Sequence, residues 1–336
     1  MRRSEAKQLV IKAGRELSRT GLIERTWGNV SVRTGENSFV ITASGKAYDT
    51  LTEDEVIEVD IRTGKYEGGT APSSEYRLHA RIYEETPDTE IIIHTHQNMA
   101  SAVSAMGIDH VWFDRTYDGI GPGVLVAKYA LPGTKKLSKY VAETVRRSAG
   151  KAVIMQRHGV VCRGSDYDEV FDMAHTLESA CEKYLCSASP MLRRDMDDIS
   201  IEDGTHYLTE AEKVSGYNAF LNRDRIVMDY LDMKMDLGAY LDDYAQMIGP
   251  AALFVPNDEA AVRQALEKAP AVLIEGEGAL CTGQNGDEAA VSMLVRKNCI
   301  AYFAAASLGK VKKISPVDSR IMRRFYVKKY SKMEGK

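Results

Sequence analysis

The strongest constraint on this chain is an internal repeat. The segment Ala152-Val-Ile-Met-Gln-Arg-His-Gly-Val-Val-Cys-Arg-Gly-Ser-Asp-Tyr-Asp-Glu169 returns as Ala271-Val-Leu-Ile-Glu-Gly-Glu-Gly-Ala-Leu-Cys-Thr-Gly-Gln-Asn-Gly-Asp-Glu288, each residue standing 119 positions before its counterpart. Identities fall on a pair of glycines (Gly159 and Gly164; Gly278 and Gly283), on Cys162 and Cys281, and on the Asp-Glu that opens the next helix. Each copy also follows a predicted helix, 134–148 and 259–267. Self-similarity of this kind means a supersecondary unit used twice. The chain is therefore expected to be one complete module followed by a partial second copy, which agrees with 336 residues at about 100 to 200 per domain. A polar, Asp-rich stretch from Ser187 to Gly204 breaks the periodicity and reads as the linker. It divides the chain into modules 1–205 and 206–336.

Periodicity places an α/β layer pattern in the first module. Leu9, Val10, Ala13 and Leu17 share one helical stripe, closed by Gly21 where a left-handed cap stops the helix. Strands at 30–33, 38–42 and 56–61 are separated by turn residues and read as antiparallel. A helix follows to about Glu85, then a buried strand, Glu90-Ile91-Ile92-Ile93-His94-Thr95-His96, and a small-residue helix. A strand at 124–127, the helix 134–148, a strand at 152–155 and a helix at 167–187 complete the pattern.

Lys plus Arg at 44 against Asp plus Glu at 48 gives a net charge of -4, which attracts neither nucleic acid nor an anionic membrane. The longest apolar stretch, 299–308, is far too short to span a bilayer. Charges throughout residues 2–16 leave no place for the apolar core of a secretory signal, so a cytoplasmic location is expected. The five cysteines are odd in number, without any C-x-x-C pair, and sit mostly in apolar runs. They read as reduced core residues, against disulfides and a thiolate zinc site.

Chemistry enters with the histidines. His94 and His96 are two apart on a strand, so both imidazoles leave the same face and can converge on one ion. His158 ends the strand 152–155 beside Gly159, at a strand end where α/β folds place ligands. Three neutral nitrogen ligands leave a zinc ion an open position, the arrangement of a catalytic site. The same H-x-H spacing also fits a half-buried strand that holds no metal. His79, His110, His175 and His206 lack such partners and read as ordinary surface or core histidines. Ser73-Ser74-Glu75 precedes a helix whose exposed N–H groups suit a phosphate, with Glu75 either a functional carboxylate or a complement to the helix dipole. Thr42-Ala43-Ser44-Gly45 follows a strand and offers hydroxyls with a permissive glycine. Gly28-Asn29-Val30-Ser31 alone reads as a turn.

Taken in order, Gly28-Asn29-Val30-Ser31, Ile41-Thr42-Ala43-Ser44-Gly45 with Tyr48-Asp49-Thr50, Pro72-Ser73-Ser74-Glu75 with His79, His94-Thr95-His96, Tyr129-Ala130-Leu131-Pro132-Gly133-Thr134 and His158-Gly159-Val160 resemble the class II aldolase/adducin family over about residues 9–185. The resemblance implies an α/β/α fold with a mainly antiparallel central sheet, followed here by the smaller degenerate repeat. It implies that His94, His96 and His158 hold Zn2+, or another divalent ion such as Mn2+ or Co2+, with Glu75 as the acid/base carboxylate. Asn29, Ser44, Gly45, Ser73 and Ser74 would cradle a substrate phosphate. Tyr129 matches a tyrosine that, in aldolases of the family, reaches a neighbouring subunit's site as a proton donor. It reads equally as an aromatic packed at a strand end.

The implied activity is cleavage or formation of a carbon–carbon bond in a phosphorylated ketose through a zinc-bound enediolate, giving dihydroxyacetone phosphate and an aldehyde. The partners implied are a small phosphorylated sugar and further copies of the chain, with no nucleic acid and no membrane. Decarboxylation of a phosphorylated sugar acid and dehydration of a phosphorylated ketose are alternatives on the same scaffold. An adducin-like interaction module is the non-enzymatic alternative, disfavoured because all three histidines remain. The family's C-terminal tyrosine cannot be transferred to Tyr326 or Tyr330, which follow the second module. That module has Glu277 where the first has His158, so it is expected to hold no metal.

Overall fold

The β-branched run Ile91-Ile92-Ile93 forms the middle of a sheet, as its composition requires. The computed structural model describes residues 1–195 and 199–329, in two compact units divided between Glu182 and Lys183. In the first, α1 (Arg3–Arg19) leads to β1 (Asn29–Gly35), β2 (Ser38–Thr42) and β3 (Val56–Asp60). Next come α2 (Tyr76–Glu85), β4 (Ile91–Thr95) and α3 (Asn98–Ser104), then β5 (His110–Tyr117), β6 (Gly121–Ala127) and α4 (Lys135–Arg147). The hairpin of β7 (Ala152–Met155) and β8 (Gly159–Gly164) precedes α5 (Tyr167–Ala188). The eight strands lie in the order β3-β2-β1-β4-β8-β7-β6-β5. Only β6 and β7 run parallel, so the sheet is mainly antiparallel, as expected.

Alternation assigns each strand residue to one face. Ile92 joins Ile41, Leu78, Ile82, Val141 and Val153 in the core beneath α2 and α4. Its neighbours Ile91 and Ile93, equally buried, serve the opposite face, which α1 and α3 cover. Each such side chain removed from water contributes about 1.5 to 3 kcal/mol. Local signals set the helix ends. Gly21 at φ 68° closes α1, and the Thr134 hydroxyl accepts the Leu137 N–H at 3.2 Å to start α4.

The second unit contains α6 (Pro190–Asp195), β9 (Ile201–Asp203), α7 (Glu210–Val214), β10 (Tyr217–Asn222), α8 (Arg225–Leu231), β11 (Leu237–Gly238) and α9 (Asp242–Met247). It continues with β12 (Ala251–Val255), α10 (Glu259–Leu266), β13 (Ala271–Ile274), β14 (Gly278–Gln284), α11 (Asp287–Ser307) and α12 (Pro316–Lys329). Its sheet runs β11-β12-β13-β14-β10-β9, parallel only between β12 and β13. Strand for strand this repeats β5-β6-β7-β8-β4-β1 of the first unit, and among the described residues no strand takes the place of β2 and β3. The register repeats too. Cys162 pairs with Ile93, and Cys281 with Phe220. The first repeated glycine has the same cause in both units: a Cβ on Gly159 would lie 2.2 Å from the Thr95 carbonyl oxygen, and one on Gly278 2.6 Å from that of Asn222.

The linker expectation needs correction. The segment 187–204 holds the end of α5, then α6 packed against α8 and α11, and β9 paired with β10; within it, residues 196–198 lie outside the described residues. The division therefore falls at 182/183 and not near 205, because β9 belongs to the second sheet. Polar composition misled here because β9 is an exposed edge strand.

Candidate metal centre

β4 lies between β1 and β8 and carries His94, with Asn29 opposite it on β1 and Val161 opposite it on β8. His96 follows two residues on, and its N–H donates to the Leu22 carbonyl at 3.0 Å. The tight turn from β7 to β8 places Arg157 in the left-handed region at φ 61° and delivers His158 beside them. The three rings form a near-equilateral triangle, with centroids 4.8, 5.0 and 4.9 Å apart. Their ligating nitrogens lie within 4.8 Å of one another. All three are buried.

Hydrogen bonding makes the set fit a metal. The His94 Nδ1–H donates to the Val160 carbonyl at 2.8 Å, which turns its Nε2 toward the centre. That Nε2 lies 3.0 Å from the His96 Nε2 and 3.1 Å from Glu75 Oε2, while the other Glu75 oxygen lies 3.1 Å from the His158 Nε2. Ring nitrogens of three imidazoles and a carboxylate converge in a buried space, a donor set that suits a cation. His94, His96 and His158 can therefore hold a metal ion, and among the described residues theirs is the one group of this kind.

Glu75 is the N-cap residue of α2. Its carboxylate makes no cap and points into the site. Burial alone would raise its pKa, but the facing His94 and His158, with the Asn29 amide, outweigh burial and hold it well below 4.5. The carboxylate is thus its resting form.

The candidate phosphate residues occupy two laced loops. Ser44 N–H donates to the Ala71 carbonyl at 3.1 Å, Ser73 N–H to that of Thr42 at 2.9 Å, and Ala43 bridges to Pro72. Ser44, Gly45, Ser73 and Ser74 are thereby brought together, and the Ser73 hydroxyl accepts the Glu75 N–H at 3.3 Å. Asn29, at the start of β1, directs its amide to Glu75 at 3.0 Å. Tyr129 lies against the loop that carries His158. Its N–H donates to Gln156 at 3.0 Å, and its ring lies 5.8 Å beneath the Arg157 guanidinium.

Sequence reading missed a layer behind Glu75. His79, set aside as an ordinary histidine, is fully buried, bonded to Asn29 Oδ1 through Nε2 and to the Ser31 hydroxyl through Nδ1 at 2.7 Å. Burial, and then the nearby His94, hold its pKa down at about 3, so the ring is neutral. Spacing held the signal: His79 and Tyr83 follow Glu75 at helical intervals of four, and Ser31 follows Asn29 at the strand interval of two.

Comparison with known proteins agrees with this geometry. The profile of the family described as "Class II Aldolase and Adducin N-terminal domain" matches residues 8–185. The L-fuculose phosphate aldolase of Escherichia coli (strain K12) is 33% identical over 187 residues, covering 55% of this chain and 85% of that protein. The 3-oxo-tetronate 4-phosphate decarboxylase of Haemophilus influenzae (strain ATCC 51907 / DSM 11121 / KW20 / Rd) is 26% identical over 204 residues, covering 59% and 94%. A solved L-fuculose 1-phosphate aldolase superposes with a TM-score of 0.50 at 29% identity, over 55% of this chain and 86% of its own. With more than half of its length matched by the family profile, the chain belongs to the class II aldolase and adducin family and is an enzyme of the class II aldolase type.

Proposed function

We propose that the first unit is a metal-dependent aldolase that cleaves or forms a carbon–carbon bond in a phosphorylated ketose, with dihydroxyacetone phosphate and an aldehyde as the products of cleavage. The observation that carries this reading is the buried Glu75 carboxylate, 3.1 Å from both His94 and His158. A divalent ion held by His94, His96 and His158, zinc first and manganese or cobalt in its place, would stabilise negative charge developing on substrate oxygens. Glu75, ionised at rest, takes and returns the proton at the substrate carbon. Ser44, Gly45, Ser73 and Ser74 bind the phosphate, and Asn29 has a second amide N–H to offer it. Tyr129 serves as proton donor to the departing oxygen of a neighbouring copy's substrate, which makes the working form a homo-oligomer. We place the enzyme in the cytoplasm. Cys162, Cys181, Cys281 and Cys299 are buried free thiols, and no described helix is long and apolar enough to cross a membrane.

Incubating metal-loaded protein with a panel of ketose 1-phosphates and measuring dihydroxyacetone phosphate tests this reading, and release from none of them overturns it. Decarboxylation of a phosphorylated 3-keto acid is the second reading, favoured by the likeness to the Haemophilus influenzae decarboxylase. Dehydration of a phosphorylated ketose needs the same Glu75. Carbon dioxide release without aldol cleavage would select the former. Against an adducin-like interaction module stands the convergence of all three buried histidines.

A further inference from the structure

β1 and α2 meet along a buried polar ladder. Asn29 and Ser31 point from one face of β1, and Glu75, His79 and Tyr83 line one stripe running from the N-cap along α2. The bonds between them run in sequence: Glu75 Oε2 to the Asn29 amide at 3.0 Å, Asn29 Oδ1 to His79 Nε2, His79 Nδ1 to the Ser31 hydroxyl at 2.7 Å, and Ser31 to the Tyr83 hydroxyl at 2.9 Å. Asn29, Ser31, His79 and Tyr83 are each no more than 2% exposed.

The donor and acceptor inventory fixes the direction of every bond. The Glu75 carboxylate only accepts, so Asn29 presents its NH2 to it. The amide oxygen then faces His79 and only accepts, so His79 Nε2 carries the hydrogen. Nδ1 of the neutral ring is left as an acceptor, Ser31 donates to it, and Tyr83 donates to Ser31. Reversing any one member would leave two buried acceptors or two buried donors face to face, at a cost above that of a lost hydrogen bond.

We infer that His79 is a positioning residue for the lyase reaction: held as its Nε2–H tautomer by Ser31, it locks the Asn29 amide so that an N–H, and not the amide oxygen, grips Oε2 of Glu75. The inference rests on the proposed role of Glu75 as proton carrier. A carboxylate gripped at one oxygen keeps a fixed direction toward the substrate carbon, and proton transfer depends steeply on such alignment. His79 touches neither substrate nor metal in this scheme and acts only through Asn29.

Two measurements test it. In metal-free wild-type protein, nitrogen-15 NMR of the imidazoles should report His79 protonated at Nε2 with Nδ1 bare, and the opposite tautomer would overturn the inference. In metal-loaded protein, His79→Phe should lower kcat about 10- to 100-fold, the scale of lost support behind a reacting group, while KM and bound metal per chain stay within about twofold. His79→Gln, which can place an N–H near the Nε2 position, should recover most of that loss. Unchanged kcat in His79→Phe, or a loss in His79→Gln as deep as in His79→Phe, overturns the inference. If His79→Phe does not fold, His79→Gln and the tautomer decide. If wild type cleaves no ketose phosphate, the proposed reaction fails, and the tautomer alone decides whether the Asn29 lock exists.

Discussion

In the first unit β4 carries His94 and passes on to His96, and in the second, at the same register, β10 carries Leu221 and passes on to Arg223. Where Asn29 pairs with His94, Glu202 pairs with Leu221, and Glu277 stands in the repeat at the position of His158. Three of these four replacements form an ion cluster: Arg223 lies 3.6 Å from Glu202 and 3.6 Å from Glu277. The same sheet pattern thus supports a buried histidine group able to hold a metal in one unit and a half-exposed arginine between carboxylates in the other. Residues that both sheets keep, Gly159 with Gly278 and Cys162 with Cys281, are packing residues. Those that changed are the ones with chemistry. The second unit places its deepest charges elsewhere, in a Lys297–Asp243 pair at 2.7 Å that is essentially unexposed.

The largest expected effect tests whether the site belongs to the first unit alone. His96→Ala should abolish both metal retention and carbon–carbon cleavage, since two imidazoles do not hold zinc with a position left open; elemental analysis and turnover check this, and one metal per chain is expected for the unaltered protein. Two tightly held metals, with one surviving His94→Ala plus His96→Ala, would erase the contrast between the units. Next, Glu75→Gln should keep the metal and lose about 10² to 10⁴ in turnover, which separates proton transfer from ion binding. In the second unit, Lys297→Met should cost about 3 to 5 kcal/mol of stability by removing the cation from buried Asp243, read by chemical denaturation, with bound metal unchanged in the protein that stays folded. The smallest effect belongs to Arg223→Ala, about 0 to 1 kcal/mol for ion pairs this exposed. A large loss there, or a change in metal content, would show that the cluster is more than a filler of the old site.

How much of this was legible depends on whether a signal was local. Ile91-Ile92-Ile93, the His94/His96 interval and the Gly21 stop are written within a few residues, and each is found where the sequence puts it. The repeat, a long-range signal, survived because Gly159 and Gly278 cannot be replaced without a clash. β5 went unread, since as an edge strand it alternates little and exposes Trp112, Asp114, Arg115 and Thr116. β9 was taken for linker for the same reason. His79 was dismissed because its role needs the docking of α2 on β1, which no interval along one element reveals. The direction of Glu75 was equally hidden, as an N-cap carboxylate is ordinarily read as serving its own helix.

The place of β4 in the strand order bears on how the site comes into being during folding. β1, β2 and β3 pair as neighbours along the chain, and β7 with β8 as a hairpin. β4 has no such local partner. Its Ile91 pairs with Val32 on one side and Gly164 on the other, about 60 and 70 residues away. Contacts of such separation carry the largest loop-closure cost and slow the search for the native topology. The three histidines gather only when β4 has paired with β8, so an ion held there would stabilise the finished fold without nucleating it. Chelation should consequently speed unfolding and leave the refolding rate unchanged, a division of effect that stopped-flow kinetics would read directly.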